Sequence, residues 1–248
     1  MRVSIITIVY NNEKFIGDTI RSVIKQNYPD IEYIIVDGLS TDGTMDIING
    51  FKDKINITIS EKDFGLYDAI NKGIMVASGD IIGILNSDDI FYDDFVISKV
   101  VNAFINNEID ATIGDVLFIR NKNNKVIRYY SSEKWKPSKF TRGFMPPHPS
   151  FFVKKSIFNK LGYYKLHYKI AADYELLIRF LFVNKIKWKY ISIITTKMRI
   201  GGKSTKNLNS IITLNKEILL ACKENGLKTN YLKIYSKYLL KPFEFIFR

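Results

Sequence analysis

The sequence predicts an α/β protein: a doubly wound, Rossmann-like and mostly parallel sheet, followed by a C-terminal helical extension. Three observations predict it. Short β-branched runs alternate with amphipathic stretches through the first hundred residues. Each of those runs stops abruptly in polar or acidic residues. The composition, 46% hydrophobic and 25% charged over 248 residues, suits a globular domain rather than a disordered chain.

The elements follow in order. Val3–Val9 is the first strand. Asn11 or Asn12 is placed to cap a helix from about Glu13 to Gln26, with Phe15, Ile16, Ile20, Val23 and Ile24 on one face. Tyr28-Pro29-Asp30 ends it. Ile31–Val36 is the second strand, closed by Asp37-Gly38. Ser40-Thr41-Asp42-Gly43-Thr44 makes a loop and cap before a helix over Met45–Gly50. A third strand spans Ile55–Ser60, a helix Leu66–Ala77, and a fourth strand Ile81–Leu85. Strands separated by helices of this length pair in parallel.

After residue 100 the pattern changes. Ala111–Arg120 and Lys125–Tyr130 read as a hairpin around Asn121-Lys122-Asn123-Asn124. Met145-Pro146-Pro147-His148-Pro149 is too rich in proline for anything but loop. Ala171–Val183 is helical, Lys187–Ile194 a strand, and Gly201-Gly202-Lys203-Ser204 a glycine loop. Two helices close the chain, roughly Asn209–Asn225 and Thr229–Leu240.

Composition narrows the function. Cys222 is the sole cysteine, so no disulfide forms within the chain, and with two histidines a structural zinc site is nearly excluded. No apolar run approaches the ~20 residues that span a bilayer, and the first residues run straight into a strand, so a cytoplasmic location is expected. The net charge of +12 is unevenly spread. The first 100 residues hold 9 basic against 16 acidic side chains, a net of −7; the other 148 hold 28 against 9, a net of +19. The acidic half suits cations or sugar hydroxyls. The basic half suits an anionic partner: nucleic acid, a phospholipid surface or a pyrophosphate.

The most informative stretch is Ile81-Ile82-Gly83-Ile84-Leu85-Asn86-Ser87-Asp88-Asp89. A buried strand ends there in an amide, a hydroxyl and two carboxylates. In open α/β sheets ligands sit outside the carboxyl ends of strands, and adjacent acids at such an end suit a divalent cation carrying phosphate. An acidic turn capping the next helix is the plainer reading of the same residues. No Gly-x-Gly-x-x-Gly follows the first strand and no Walker-type loop exists, which leaves a single nucleotide held by carboxylates and a metal.

These residues resemble the family 2 glycosyltransferases of the nucleotide-sugar-dependent GT-A fold. The likeness is carried by Thr7–Asn12, Ile35–Thr44, Glu61–Gly73, Leu85–Asp89, His148-Pro149-Ser150 and Ala172-Asp173-Tyr174-Glu175, over about residues 3–205. It implies a catalytic domain over 1–205, with a nucleotide-binding half (1–100) and an acceptor-binding half (101–205), and a basic helical extension over 206–248. Thr7, Tyr10 and Glu13 would line the nucleoside pocket. Asp37 would accept a hydrogen bond from the base, with Asp63 beside base or ribose and Lys72 near the phosphates. Asn86-Ser87-Asp88 takes the place of the family's Asp-x-Asp motif. Asp88 would hold Mn²⁺ or Mg²⁺, Asn86 and Ser87 would contact ribose, and Asp89 the donor sugar. Having Asn86 where many members carry Asp removes one negative charge. Asp173 matches the catalytic base of an inverting transfer. His148, Tyr174 and Glu175 would meet acceptor or donor sugar, and Lys203 the diphosphate.

The resemblance makes a UDP-sugar the expected donor and a glycan, lipid-linked in many relatives, the expected acceptor. In the tail, Lys228, Lys233, Lys237 and Lys241 recur every four or five residues among aromatics, which suits the inner leaflet of a membrane. A helix packed on the domain with a solvated lysine face is the alternative. A nucleic-acid-binding protein, a sugar nucleotidyltransferase and an inactive sugar-binding relative are the competing functions. The acidic first half and the lack of any nucleic-acid motif weigh against the first.

Overall fold

The computed structural model describes residues 1–121, 124–201 and 208–240. Lys122, Asn123, Gly202, Lys203, Ser204 and the segment from Lys241 onward lie outside the described residues. The elements are β1 (Val3–Val9), α1 (Ile16–Ile24), β2 (Ile31–Asp37), α2 (Thr44–Asn49), β3 (Ile57–Ser60), α3 (Leu66–Val76), β4 (Ile81–Ile84), β5 (Ile90–Phe91) and α4 (Val96–Ile105). There follow β6 (Ala111–Ile119), β7 (Val126–Tyr130), β8 (Phe151–Lys154), α5 (Lys155–Leu161), α6 (Ala172–Leu177), β9 (Trp188–Arg199), α7 (Leu208–Glu224) and α8 (Tyr231–Leu240).

One sheet runs in the order β3-β2-β1-β4-β8-β6-β9-β5, with β7 paired to β6. The β3-β2-β1-β4 half is parallel throughout, as the sequence predicts. Beyond β4 the pairing is mixed: β8 is antiparallel to both β4 and β6, and β9 is parallel to β6. Alternation along β1 shows why the sheet is wound on both sides. Val3, Ile5 and Val9 face a layer of α1, α2 and α4, while Ile6 and Ile8 face α3 and the later helices. Each fully buried aliphatic side chain contributes about 1.5–3 kcal/mol.

Several elements differ from expectation. α1 starts at Ile16 rather than near Glu13, because Asn11 and Asn12 do not cap it. The Asn11 side chain instead accepts from Thr41 N–H (2.8 Å), and the Asn12 amide donates to Ser87 Oγ (2.9 Å). The helix expected over Ala171–Val183 is α6 followed by a π-helical turn over Ile178–Val183. β9 runs five residues past its expected end, to Arg199. β5, α4, β8 and α5 fall where the sequence pattern marks no element.

The extension is not an appendage. Ile218, Ala221, Cys222, Leu227 and Ile234 from α7 and its surroundings share one core with Tyr67, Phe140, Tyr174 and Leu176. Lys237, expected on an outward lysine face, is instead buried beside Tyr238, its ammonium 5.2 Å from that ring. Ile234, on the same side of α8, is fully buried.

Gly83 marks a tight junction of β4 with β8 near the site. A Cβ there would lie 2.4 and 2.7 Å from ring atoms of Phe152, which is itself buried. Gly83→Ala is expected to lower unfolding free energy by about 1–3 kcal/mol through overpacking, read from urea denaturation; an unchanged midpoint would show that the strands can spread without cost.

Candidate active site

Three loops meet at the carboxyl edge of the parallel strands: Tyr10–Glu13 after β1, Gly38–Thr44 after β2, and Leu85–Asp89 after β4. The antiparallel register Gly83↔Phe152 brings the His148–Ser150 turn, which precedes β8, to the same edge. α3 begins there too, just after Asp63, and its Tyr67 reaches the start of α6. Topology therefore gathers residues far apart in the chain into one crevice.

On the β1–β2 side, backbone amides are claimed by side chains. Asp37 is fully buried at the end of β2. It accepts from Ser40 N–H (3.1 Å), from the Ser40 hydroxyl and from Ser60 Oγ (2.7 Å). Glu13 accepts from Gly43 N–H (2.7 Å). Asp63 accepts from Gly65 N–H (2.8 Å), and its other oxygen packs so close to Gly38 that a Cβ there would stand 2.4 Å away. Tyr10 borders the same glycine and is 59% exposed. Gly38 thus lets the Asp63 carboxylate pack against the backbone, with Tyr10 alongside. Asn11 and Leu39 hold positive φ (48° and 61°), where the backbone turns sharply at the rim.

At the end of β4 the polar motif is cross-braced. Thr19 of α1 donates its single hydroxyl proton toward the carbonyls of Ser87 (3.0 Å) and Asp89 (2.7 Å). Asn86 donates to Asp89 Oδ2 (3.0 Å). Burial raises the proton affinity of both Asp88 and Asp89, and the charge of Asp88 raises that of Asp89 further. Arg199 at the end of β9 lowers both. Its guanidinium, almost fully buried, donates to the Asp88 carbonyl (2.9 Å) and to Asp18 Oδ2 (2.9 Å), and lies 4.6 Å from the Phe15 ring centroid. Its Nε has no hydrogen-bond partner among the described residues. The Asp88 carboxylate accepts from no other residue among the described residues.

The other wall is aromatic. His148 Nε2 and Tyr164 Oη are 2.6 Å apart, and Tyr164 stacks on Tyr67 with ring centroids at 5.7 Å. Burial pulls the His148 imidazole down to about 4, so the ring is neutral at physiological pH. The Tyr67 hydroxyl donates to the Ile170 carbonyl and lies 3.3 Å from Asp173 Oδ1. One proton faces two acceptors, so Tyr67 can donate to the Asp173 carboxylate or accept from its acid form. Burial pushes the Asp173 carboxyl up to about 6 against the hydrogen bonds from Tyr174 N–H and Tyr67.

Some expected contacts are corrected by their surroundings. Thr7 is fully buried and accepts from Tyr33 Oη (3.2 Å), so it presents no surface to a nucleoside. Lys72 faces Glu61 (2.8 Å), Asp68 (3.3 Å) and the Lys62 carbonyl (2.9 Å), stapling the loop ahead of α3 rather than reaching for phosphate. Tyr174 is buried against the Phe140 carbonyl. Glu175, also fully buried, pairs with Arg179 (3.1 Å) and Lys165 (3.0 Å), which hold its carboxyl below the usual range. Neither meets an acceptor. Lys203 lies outside the described residues. Arg199, Thr19, Tyr67 and Tyr164 were not read from sequence as site residues.

The comparisons agree with this geometry. The glycosyl transferase family 2 model matches residues 4–162. A PGL/p-HBAD biosynthesis glycosyltransferase of Mycobacterium tuberculosis is 30% identical over 189 residues, 74% of this chain and 71% of that protein. An uncharacterized glycosyltransferase of Methanocaldococcus jannaschii is 30% identical over 210 residues, covering 81% and 71%. Among solved structures, S. aureus TarS 1-349 in complex with UDP-GlcNAc superposes with a TM-score of 0.72 at 18% identity over 99% of this chain and 73% of that one. The mannosyltransferase PcManGT from Pyrobaculum calidifontis, in complex with GDP-Man and Mn²⁺, gives 0.66 at 14% identity over 98% and 72%. At such identities the structures speak for the fold, whereas the family model and the relatives at 30% speak for descent: this chain belongs to glycosyl transferase family 2.

Proposed function

We propose that this glycosyltransferase moves a sugar, with inversion, from a nucleoside-diphosphate sugar, UDP by resemblance, to a hydroxyl of a glycan acceptor. A lipid-pyrophosphate-linked acceptor in cell-surface polysaccharide synthesis suits the basic second half of the chain. The observation that carries the reading is Asp173: a half-buried carboxyl at the crevice edge, 3.3 Å from the Tyr67 hydroxyl, with its proton affinity raised to about 6. A base with that affinity is ionised at neutral pH yet takes a proton readily. Nucleotide-sugar complexes of TarS and PcManGT support the donor class.

Asp173 takes the acceptor hydroxyl proton as that oxygen attacks the anomeric carbon. Tyr67 then turns its proton to Ile170 and accepts from the newly formed acid. The rim where Asp63 and exposed Tyr10 border Gly38 takes the nucleobase, with Asp37 holding the loop beneath it. Neutral His148 and Tyr164 orient the acceptor.

The donor set fits a hard divalent cation in part. Asp88 offers a carboxylate that no other described residue engages, whereas Asn86 and Asp89 bind each other. No group of three His, Cys, Asp or Glu side chains forms a metal shell among the described residues, so phosphate oxygens would complete one. Mn²⁺ or Mg²⁺ held at Asp88 would offset the negative charge that builds on the departing nucleoside diphosphate.

No helix among the described residues is long and apolar enough to cross a membrane. Contact with an anionic leaflet is supported by an outward patch on α8. Leu232 is 84% exposed beside exposed Tyr231 and Tyr235, and Lys228 and Lys233 flank them in solvent.

Three outcomes are expected. Asp173→Asn keeps UDP binding by calorimetry but loses transfer by ~10²–10⁴-fold, and parent activity rises with pH through about 6 as Asp173 ionises; equal rates in both proteins would remove Asp173 as base. Asp88→Ala abolishes the Mn²⁺-dependent part of UDP affinity while leaving the metal-free part, and an undiminished manganese effect would place the ion elsewhere. Leu232→Glu, at a site exposed enough not to disturb folding, reduces flotation with anionic vesicles; unchanged flotation would rule the patch out as the membrane contact.

A further inference from the structure

We propose that Glu217 on α7 is a positioning residue for Asp173, which makes the C-terminal extension a working part of the site; the inference rests on Asp173 as the base. The Glu217 carboxylate accepts three consecutive backbone N–H groups: Lys169 (2.8 Å) to Oε1, and Ile170 (2.9 Å) and Ala171 (2.8 Å) to Oε2. These residues form the turn that leads into α6, whose first intrahelical bond runs from Glu175 N–H to the Ala171 carbonyl (3.1 Å). Ile170 is gripped from two sides, its N–H by Glu217 on α7 and its carbonyl by Tyr67 on α3. Asp173 follows three residues later.

The physical argument has two parts. The backbone amides of this turn, which leads into a helix, have no ladder partner, and a carboxylate taking three of them is a strong, charge-assisted clamp. With the clamp gone, the turn relaxes and carries the Asp173 oxygens with it; misplacement of a reacting group by about 1 Å costs roughly 10²-fold in rate. The second part is charge. Three titratable groups face Asp173: Tyr67 from α3, Tyr164 from the loop ahead of α6, and Glu217 from α7. Burial is the main cause of the raised Asp173 proton affinity, and the Glu217 anion acts in the same direction. The two parts separate in two variants. Glu217→Gln keeps an oxygen acceptor and loses the charge. Glu217→Ala loses both.

The test uses the full chain. Amide hydrogen exchange at residues 169–171 reports the clamp without any substrate. ¹³C NMR of the Asp173 carboxyl, assigned with Asp173→Asn, reports its titration. Mn²⁺-supported hydrolysis of a panel of UDP-sugars reports the reaction. In Glu217→Ala, exchange at residues 169–171 is expected to quicken by about tenfold or more, and donor hydrolysis to fall by roughly 10²-fold. In Glu217→Gln, the Asp173 titration and the acid limb of the hydrolysis profile are expected to move together to lower pH, with most of the exchange protection retained. A merely structural glutamate would leave that acid limb in place. Parent-like exchange in the alanine variant, or an unmoved Asp173 titration in the glutamine variant, would overturn the proposal. Should Asp173→Asn hydrolyse donor as fast as the parent, the base assignment falls instead, while the exchange and NMR readings still decide whether α7 holds this turn.

Discussion

Backbone amides at the ends of strands and the starts of helices have no ladder partner, and the whole crevice depends on side chains that take them. Glu13 takes Gly43, Asn11 takes Thr41, Asp37 takes Ser40, and Asp63 takes Gly65. Glu217 takes a run of three. Glu13, Asn11 and Glu217 each tie one segment to another, whereas Asp37 and Asp63 close their own turns, so the crevice is built of braced loops on the sheet. Several residues that resemble ligand contacts in sequence hold the loops that make the contacts.

The two halves of the site differ in electrostatic character for a structural reason. Asp89 is buried and Asp88 half-buried beside it, and Arg199 beneath them donates to the Asp88 carbonyl and to Asp18. Charge is left uncompensated at the crevice end of β4, which favours a cationic complement there. Across the crevice Asp173 faces Tyr67, Tyr164 and the Glu217 carboxylate, an environment that favours a proton. One carboxylate is arranged for a cation and the other for a proton.

Much of this was legible in the sequence, element by element. Unbroken β-branched runs marked β1, β2 and β4 nearly to the residue, because both faces of a doubly wound sheet are apolar at its centre, whereas β3 alternates at the edge. The motif order placed Asp37, Asp63, Asn86–Asp89, His148 and Asp173 at the crevice, because each follows or precedes an edge. Short elements such as β5 and β8, of two and four residues, were missed, since pairing partners rather than local pattern make them strands. Lys237 was misassigned because a four-residue repeat of lysines marks one helical stripe without showing which way the stripe faces; Ile234 on the same side decides that it faces inward.

By itself, then, the sequence determined the fold class and the family, since these depend on periodicity and on the spacing of motifs, which are local. Tertiary structure alone decided which polar side chains brace the loops. Thr7, Lys72, Tyr174 and Glu175 turned out to be braces, and Arg199 and Glu217 entered the site from partners 111 and 46 residues away. Burial and charge pairing act through space, so a carboxylate that binds and a carboxylate that props look alike until the chain has closed around them.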